Sequence, residues 1–339
     1  MTHPSELLNM LIAKKDLSAR DAETFLDDVV RGAITPVQIG AILTALRIKG
    51  ESPAEIVGLI RAMRKHMVPV NAKDAIDIVG TGGDGGGGKG TFNISTTAAL
   101  VVAGAGVKVA KHGNRAASSK CGSADVLEAL GVNIFLSKEQ AEIVFKNAGI
   151  VFLFAPLFHP AMKQVGAVRK ELGVRTVFNI LGPFANPAGT KRQIVGVPNR
   201  EIAKKMAEVG KQLDFDRLFI VTSDGTDEIG ISKNTDVFEV RGKSLKKFKI
   251  NPEKFGFRKT SRSKILGGNP EESAKIIQDI LGGEEKGARR EIVILNSAVA
   301  LYVAGAVKNI KEGIKLAEDS IDSGKAAQAL ANLVRETNA

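Results

Sequence analysis

The feature that most constrains this chain is residues 79–96, read V-GTGGDGGGGKG-TFNIST. It follows a short apolar run, Ala75 to Val79, that reads as a buried strand. It leads into Ser95 to Ala103, which reads as the start of a helix. A glycine-rich turn between strand and helix brings backbone N–H groups close to an anion, and the helix N-terminus adds partial positive charge. The expectation is a loop that holds a phosphorylated, magnesium-bound ligand.

Two familiar fingerprints nearly fit and are rejected. Gly80, Gly82 and Gly85 match the dinucleotide pattern, but that pattern needs an acid about 20 residues on, and the next acid after Asp84 is Asp125. Gly83, Gly88 and Lys89 match most of a P-loop, yet Gly90 stands where a hydroxyl residue should ligate magnesium. The acid gap is informative in itself. Between Gly85 and Ala124 every charged side chain is basic: Lys89, Lys108, Lys111, Arg115 and Lys120. Such a segment favours a polyanion.

The remaining charge lies elsewhere. Arg241 to Lys264 holds ten basic residues and one acid, Glu253, and supplies most of the net charge of +11. Phe248, Phe255 and Phe257 are interleaved with it, a pattern seen on some nucleic-acid-binding surfaces. The preferred explanation is a solvated edge or hairpin whose phenylalanines face the core. A single cysteine, Cys121, excludes an internal disulfide and suits a reducing cytoplasm. The N-terminal MTHPSELLNMLIAKKD has no apolar core of signal-peptide type, and no apolar run reaches membrane-spanning length.

Residues 5–69 read as helices only. Ser18 opens one; Thr35-Pro36-Val37-Gln38 and Ser52-Pro53-Ala54-Glu55 are start signals with proline in the first turn. From Ala75 strands alternate with helices. Strands are expected at Val107 to Ala110, Val132 to Phe135, Ile150 to Phe154, Gln193 to Val197, Leu218 to Thr222 and Ile292 to Leu295. Helices are expected from Gly122, at Ser137 to Gly149, His159 to Leu172, Arg200 to Leu213 and Ile310 to Ser320. Val177 to Pro187 reads as irregular, and Lys111 to Lys120 as a second polar turn. This alternation predicts an α/β protein: a small all-helical N-terminal domain (1–69, completed by helices in 160–190) and a larger domain (70–339) with a mostly parallel sheet flanked by helices. Ligands in such sheets sit at the carboxyl ends of strands, where both turns fall.

Asp227 and Glu228 sit side by side after a strand, as a magnesium site completed by phosphates would require. An exposed acidic turn is the plainer alternative, and the basic cradle favours the metal. His112 and His159 carry no catalytic signal alone. Arg169 either pairs with an acid on its own helix or faces the cleft and binds a carboxylate bidentately; spacing leaves both open.

GTGGD with TFNIST, then KHGNRAASSKCGSADVLEALG, HPAMK, VRKELGVRTVFNILGP, NPAG and TDE, closely resemble in order the anthranilate phosphoribosyltransferase family. The resemblance spans essentially the whole chain. It implies the fold of the nucleoside phosphorylase/phosphoribosyltransferase class. It also implies transfer of phosphoribose from phosphoribosyl pyrophosphate to the anthranilate amine, in tryptophan biosynthesis. By position, Gly80, Gly83, Asp84, Thr91, Asn93, Ile94, Ser95 and Thr96 would hold the pyrophosphate and ribose phosphate. Lys111, His112, Gly113, Asn114, Arg115, Ala116, Ala117, Ser118 and Ser119, with Ser123, would continue the cradle. Ser95, Asp227 and Glu228 would serve two magnesium ions. Asn114 and Arg169 would bind anthranilate, Gly80 would touch it, and His112 and His159 would line its path. The implied assembly is a homodimer joined through the helical domain.

One departure stands out. The family has about two residues between Asp-Gly and Thr-Phe-Asn, whereas this chain has five, Gly86 to Gly90, with Lys89 positioned for an added phosphate contact. Thr226 stands where leucine is common. Two other functions compete. A pyrimidine nucleoside phosphorylase is disfavoured by Asn114 after His-Gly and by the Asp227–Glu228 pair. A non-catalytic nucleic-acid-binding relative would use the Arg241–Lys264 patch, but would not need the metal ligands.

Overall fold

The computed structural model describes residues 3–82, 90–116 and 119–339. Gly83, Asp84, Lys89, Ala117 and Ser118 lie outside the described residues. The chain opens with α1 (Pro4–Ile12), α2 (Ala19–Val30), α3 (Pro36–Lys49) and α4 (Pro53–His66). The expected start signals act as capping boxes: Ser18, Thr35 and Ser52 each accept from the backbone three residues on, and the residue there reaches back.

The alternating part follows as β1 (Ile76–Gly80), α5 (Ile94–Gly104), β2 (Val109–Gly113), α6 (Ser123–Ala129), α7 (Lys138–Ala148) and β3 (Ile150–Phe154). Next come α8 (Ala155–Phe158), α9 (Lys163–Leu172) and α10 (Phe178–Leu181), then β4 (Arg192–Gly196), α11 (Arg200–Gly210) and β5 (Arg217–Thr222). A hairpin, β6 (Thr235–Arg241) and β7 (Ser244–Ile250), precedes α12 (Pro270–Leu281), α13 (Ala288–Ala304), α14 (Ile310–Asp322) and α15 (Lys325–Thr337).

The strands form one 7-stranded sheet in the order β3-β2-β1-β4-β5-β6-β7. β3 through β5 run parallel, and β6 and β7 are antiparallel. Strand alternation divides the interior. Phe219 and Val221 of β5 join the core formed by α5 to α7 and α12 to α15; Leu218 and Ile220 point to the opposite core. That second core contains α1 to α4 together with Val165 and Val168 of α9, Phe178 and Leu181 of α10, and α11.

Several expectations need correction. Val132 to Phe135 forms no strand of the sheet: the Asn133 N–H donates to Thr337 Oγ1 at the end of α15 (3.2 Å). Ile292 to Leu295 lies inside α13, because a short apolar run looks the same in a buried strand and a buried helix. The helix expected from His159 starts at Lys163, after a 3-10 turn at Pro160–Met162. The stretch expected to be irregular contains α10 and a 3-10 turn, Gly182–Ala185. Most consequentially, Lys111 and His112 are not in a loop; β2 carries them.

The basic segment forms the sheet edge. Lys246, Lys247 and Lys249 of β7 are exposed, while Phe248 packs edge-on against Phe219 with ring centroids 5.7 Å apart and Phe257 is buried. Lysines along an outer strand discourage edge-to-edge pairing.

Candidate active site

The site is built at the carboxyl ends of β1, β2 and β5. The turn after β5 places Asp227 against β1 and β4. A Cβ added to Gly196 would lie 1.6 Å from the Asp227 carbonyl oxygen, and one added to Gly80 would lie 2.2 Å from Asp227 Oδ2. Only glycine permits that approach. The Gly82 N–H donates to Asp227 Oδ2 (2.7 Å), and the Ser95 N–H at the start of α5 donates to Glu228 Oε1 (3.2 Å). Asn296 of α13 fixes the next residue, accepting from the Ile229 N–H (3.1 Å) and donating to its carbonyl (2.8 Å). The two carboxylates are therefore buried and held, not an exposed acidic turn. With Ser95 Oγ they offer hard oxygen donors beside the first glycine-rich turn, which suits magnesium.

Lys111 lies beneath this donor set. Its Nζ donates to the Ile78 carbonyl (2.5 Å) and to Ser95 Oγ (3.2 Å). Burial lowers its pKa, and the charges of Asp77, Glu228 and Asp227 pull it back up. Asp77, on the same strand as Gly80, is fully buried. Its carboxyl accepts from Asn186 Nδ2 (2.8 Å), Gln193 Nε2 (3.1 Å) and the His112 N–H (3.4 Å).

Burial pushes the Asp77 carboxyl up to about 6 against the opposing pull of Lys111 and these donors. The sign follows from linkage. A raised carboxyl pKa means that the folded state binds the proton more tightly, so its contribution to stability falls as pH rises from about 4 to 6. The stability of wild type minus that of Asp77→Asn should therefore drop by roughly 2–3 kcal/mol between pH 4 and pH 7. Urea denaturation of both proteins across that range checks it; a flat difference would contradict it.

His112, which follows Lys111 on β2, points the other way. Its Nδ1 donates to the Gly182 carbonyl (3.2 Å). The His159 ring lies 5.2 Å away, centroid to centroid. Burial first, then His159, holds His112 down at about 3, and burial holds His159 at about 4, so both rings are neutral at pH 7. Arg169 leaves α9 over the Phe178 ring (5.6 Å) and donates to Asn179 Oδ1 (3.4 Å). It pairs with no acid on its own helix among the described contacts, and burial lowers its pKa. Among the described residues, four buried polar atoms of the candidate site residues lack a protein partner: His112 Nε2, His159 Nε2, Arg169 Nε and Asn93 Oδ1. Unmet hydrogen-bonding groups at one end of a sheet mark a site shaped for a polar ligand.

The other candidates fall around this centre. Thr91 is bridged to Leu266, and Gly90 accepts from the Gly267 N–H (3.1 Å), which clamps the outgoing arm of the first turn. Ile94 and Thr96 bury their side chains. Gly113 ends β2. Ser123 Oγ donates to the Asn114 carbonyl (3.2 Å), and Asn114 Oδ1 accepts from the Arg115 N–H (2.8 Å). The Arg115 guanidinium is engaged by Asp125 and Glu128. The Ala116 N–H donates to Asp125 Oδ2 (2.9 Å), and Ser119 is exposed. Sequence reasoning missed Asp77, Asn186, Gln193 and Asn296. A signal existed for two of them: Asp77 interrupts an apolar strand, and Asn296 an apolar helix.

Comparison with known proteins agrees with this architecture. Residues 5–67 match the glycosyl transferase family helical bundle domain, and residues 72–327 the glycosyl transferase family a/b domain. The chain is 47% identical over 335 residues to the anthranilate phosphoribosyltransferase of Methanobrevibacter smithii, covering 98% of this chain and 99% of that one. It is 48% identical over 332 residues to that of Rubrobacter xylanophilus, covering 97% and 96%. Among solved structures, the anthranilate phosphoribosyltransferase of Thermus thermophilus superposes with a TM-score of 0.91 at 41% identity, over 98% of this chain and 99% of that one. The Saccharomyces cerevisiae enzyme in complex with PRPP and Mg superposes with a TM-score of 0.89 at 30% identity, over 99% and 98%. With both domains matched and nearly half of its residues shared along its whole length, the chain belongs to the anthranilate phosphoribosyltransferase family.

Proposed function

We propose that this chain transfers the phosphoribosyl group of phosphoribosyl pyrophosphate to the amine of anthranilate, giving N-(5-phosphoribosyl)anthranilate and pyrophosphate. The observation that carries this reading is the pair of held carboxylates, Asp227 and Glu228, beside the first glycine-rich turn, together with Arg169, which is backed by the Phe178 ring and has an Nε unpartnered among the described residues. The first suits a metal-bound pyrophosphate, the second an aromatic carboxylate.

Asp227, Glu228 and Ser95 would hold two magnesium ions, which supply charge neutralisation at the pyrophosphate. The cosubstrate cradle comprises Gly80, Gly83, Asp84, Thr91, Asn93, Ile94, Ser95 and Thr96, continued by residues 111–119 and Ser123. Lys111 acts there from below, by holding Ser95 Oγ. As the bond from ribose C1 to pyrophosphate lengthens, negative charge grows on the leaving group, and prearranged backbone N–H groups stabilise it. Arg169 and Asn114 orient anthranilate, and fixing both reactants supplies much of the rate.

The domain division, 1–69 completed from 160–190 against 70–339, is supported by the packing of α9 on α2 and α3 and of α10 on α4. Exposed Ile12 (67%), Val37 (81%) and Ile48 (78%) on α1 and α3 support a homodimer through the helical domain. Sedimentation should give twice the chain mass; a monomer at micromolar concentration would reject it. A cytoplasmic location is consistent with the single cysteine, and no helix among the described residues is long and apolar enough to cross a membrane.

The test of function is loss of anthranilate fluorescence on mixing the protein with magnesium and phosphoribosyl pyrophosphate. Folded protein that leaves anthranilate untouched would reject the reaction. Phosphorolysis of a pyrimidine nucleoside, or salt-dependent DNA binding, would then support one of the alternatives.

A further inference from the structure

The 3-10 turn Gly182–Ala185 presents four consecutive carbonyls, and side chains from four separate parts of the chain face them. His112 Nδ1 of β2 bonds the Gly182 carbonyl (3.2 Å), and Gln193 Nε2 of β4 bonds that of Pro183 (2.5 Å). Arg64 Nε of α4 bonds that of Phe184 (2.7 Å), and the His159 ring faces that of Ala185. Asn186 ties the end of the turn to Asp77 and to the Ala110 carbonyl (2.8 Å each). The turn is thus held from both domains and from three strands.

A carbonyl only accepts. The His112 nitrogen facing Gly182 therefore carries the ring hydrogen, and in a neutral ring the other nitrogen is a bare lone pair. The same holds for His159: its Nε2 has no partner, so Nδ1 is the nitrogen that faces Ala185. Both Nε2 atoms are buried and unpartnered among the described residues, on rings 5.2 Å apart. Arg169 stacks on Phe178 and bonds Asn179, within the short helix that runs straight into this turn. A cation and two unpartnered acceptors are therefore fixed to one stretch of chain. An ortho-aminobenzoate, with carboxylate and amine on adjacent ring carbons, needs that combination.

We propose, on the reading of function given above, that the Gly182–Ala185 turn locks His112 and His159 as Nδ1–H tautomers so that their Nε2 lone pairs accept the two N–H groups of the attacking amine, and that His112 takes the proton the amine releases. In the step, the nitrogen lone pair forms the bond to ribose C1, and the C1–oxygen bond breaks with its electron pair leaving on pyrophosphate. The nitrogen, now cationic, gives one proton to His112 Nε2. The imidazolium returns that proton to solvent as products leave. An aromatic amine becomes strongly acidic once it is alkylated and cationic, so a weak base suffices. Burial that keeps both rings neutral at pH 7 keeps both acceptors available. His112 is then a catalytic residue, and Gln193 and Arg64 are positioning residues that act through the turn.

The chain has only four histidines, His3, His66, His112 and His159, so ring nitrogen spectra are assignable by single substitution. In ¹⁵N-imidazole-labelled free enzyme at pH 7, long-range ¹H–¹⁵N spectra should show a protonated Nδ1 and bare Nε2 for two rings, and His112→Asn and His159→Asn should each remove one. In kinetics, His112→Asn keeps an amide donor for the Gly182 carbonyl but loses the acceptor. Its kcat should fall about 10²-fold, with the KM for phosphoribosyl pyrophosphate within about twofold of wild type. His112→Gln, whose amide oxygen reaches the Nε2 position, should recover part of the loss. An Nε2–H tautomer at His112, or wild-type kcat in His112→Asn, would overturn the acceptor role while wild-type turnover left the reaction standing. Absence of wild-type turnover would remove the reaction, and this inference with it.

Discussion

Replacing Asp227 with Asn and Glu228 with Gln together is expected to lower kcat/KM by about 10³-fold or more, with little change in melting temperature. The amides keep the shape of the originals. Asn can still accept from the Gly82 N–H, and Gln from the Ser95 N–H, so the close packing of this turn on Gly80 and Gly196 survives. What is lost is charge. Two anions beneath a polyanionic cosubstrate make sense only if a cation lies between them. Without them, Ser95 Oγ would be the one proposed metal donor left among the described residues. The same substitution removes two of the three anions that hold up the charge of Lys111, leaving Asp77 alone. Steady-state rates over a magnesium titration, with calorimetry of magnesium and cosubstrate binding, read the effect. A double variant with wild-type magnesium dependence would show that the metal is held elsewhere.

Arg169→Ala is expected to leave the KM for phosphoribosyl pyrophosphate nearly unchanged and to cut kcat/KM for anthranilate by about 10²-fold or more. That corresponds to loss of roughly 3 kcal/mol from a pair of charge-assisted hydrogen bonds. The geometry supports selectivity of this kind. The guanidinium is backed by the Phe178 ring, loosely engaged by Asn179 and left with an Nε unpartnered among the described residues, so it is oriented without being neutralised by them. Arg169→Lys should rescue little, because a point charge does not reproduce the planar fork. Fluorescence assays varying each substrate in turn check both statements; equal loss toward both substrates would instead mean a general collapse of the α9–α10 region.

The layered fold was legible because local signals and global architecture agree. Proline-containing capping boxes fixed the starts of α3 and α4, and alternating apolar segments placed β1, β3, β4 and β5. Two of the misses share one cause. Ile292 to Leu295 and Val132 to Phe135 are short apolar runs, for which periodicity has too few residues to act, and partners distant in sequence decided their structure. The basic hairpin is a case where the preferred reading, an edge hairpin with its phenylalanines toward the core, matches the structure: pairing of β6 with β7 turns Phe248 onto Phe219 and leaves lysines guarding the edge.

For the site, the sequence by itself determined the chemistry available: a glycine-rich turn, a basic segment without acids, and adjacent carboxylates after a strand. Those depend on residue type and on local turn geometry, which a sequence states directly. Tertiary structure decided what each residue does there. Placing Lys111 and His112 in β2, not in a loop, sends consecutive side chains to opposite faces, one toward Ser95 and the other toward Gly182. Arg115 is drawn to Asp125 and Glu128. Asp77, Asn186 and Gln193, far apart in sequence, become one buried network because parallel strands bring β1 and β4 into register. Burial and hydrogen-bond partners set ionisation and tautomer, and both are properties of packing that no single stretch of sequence contains.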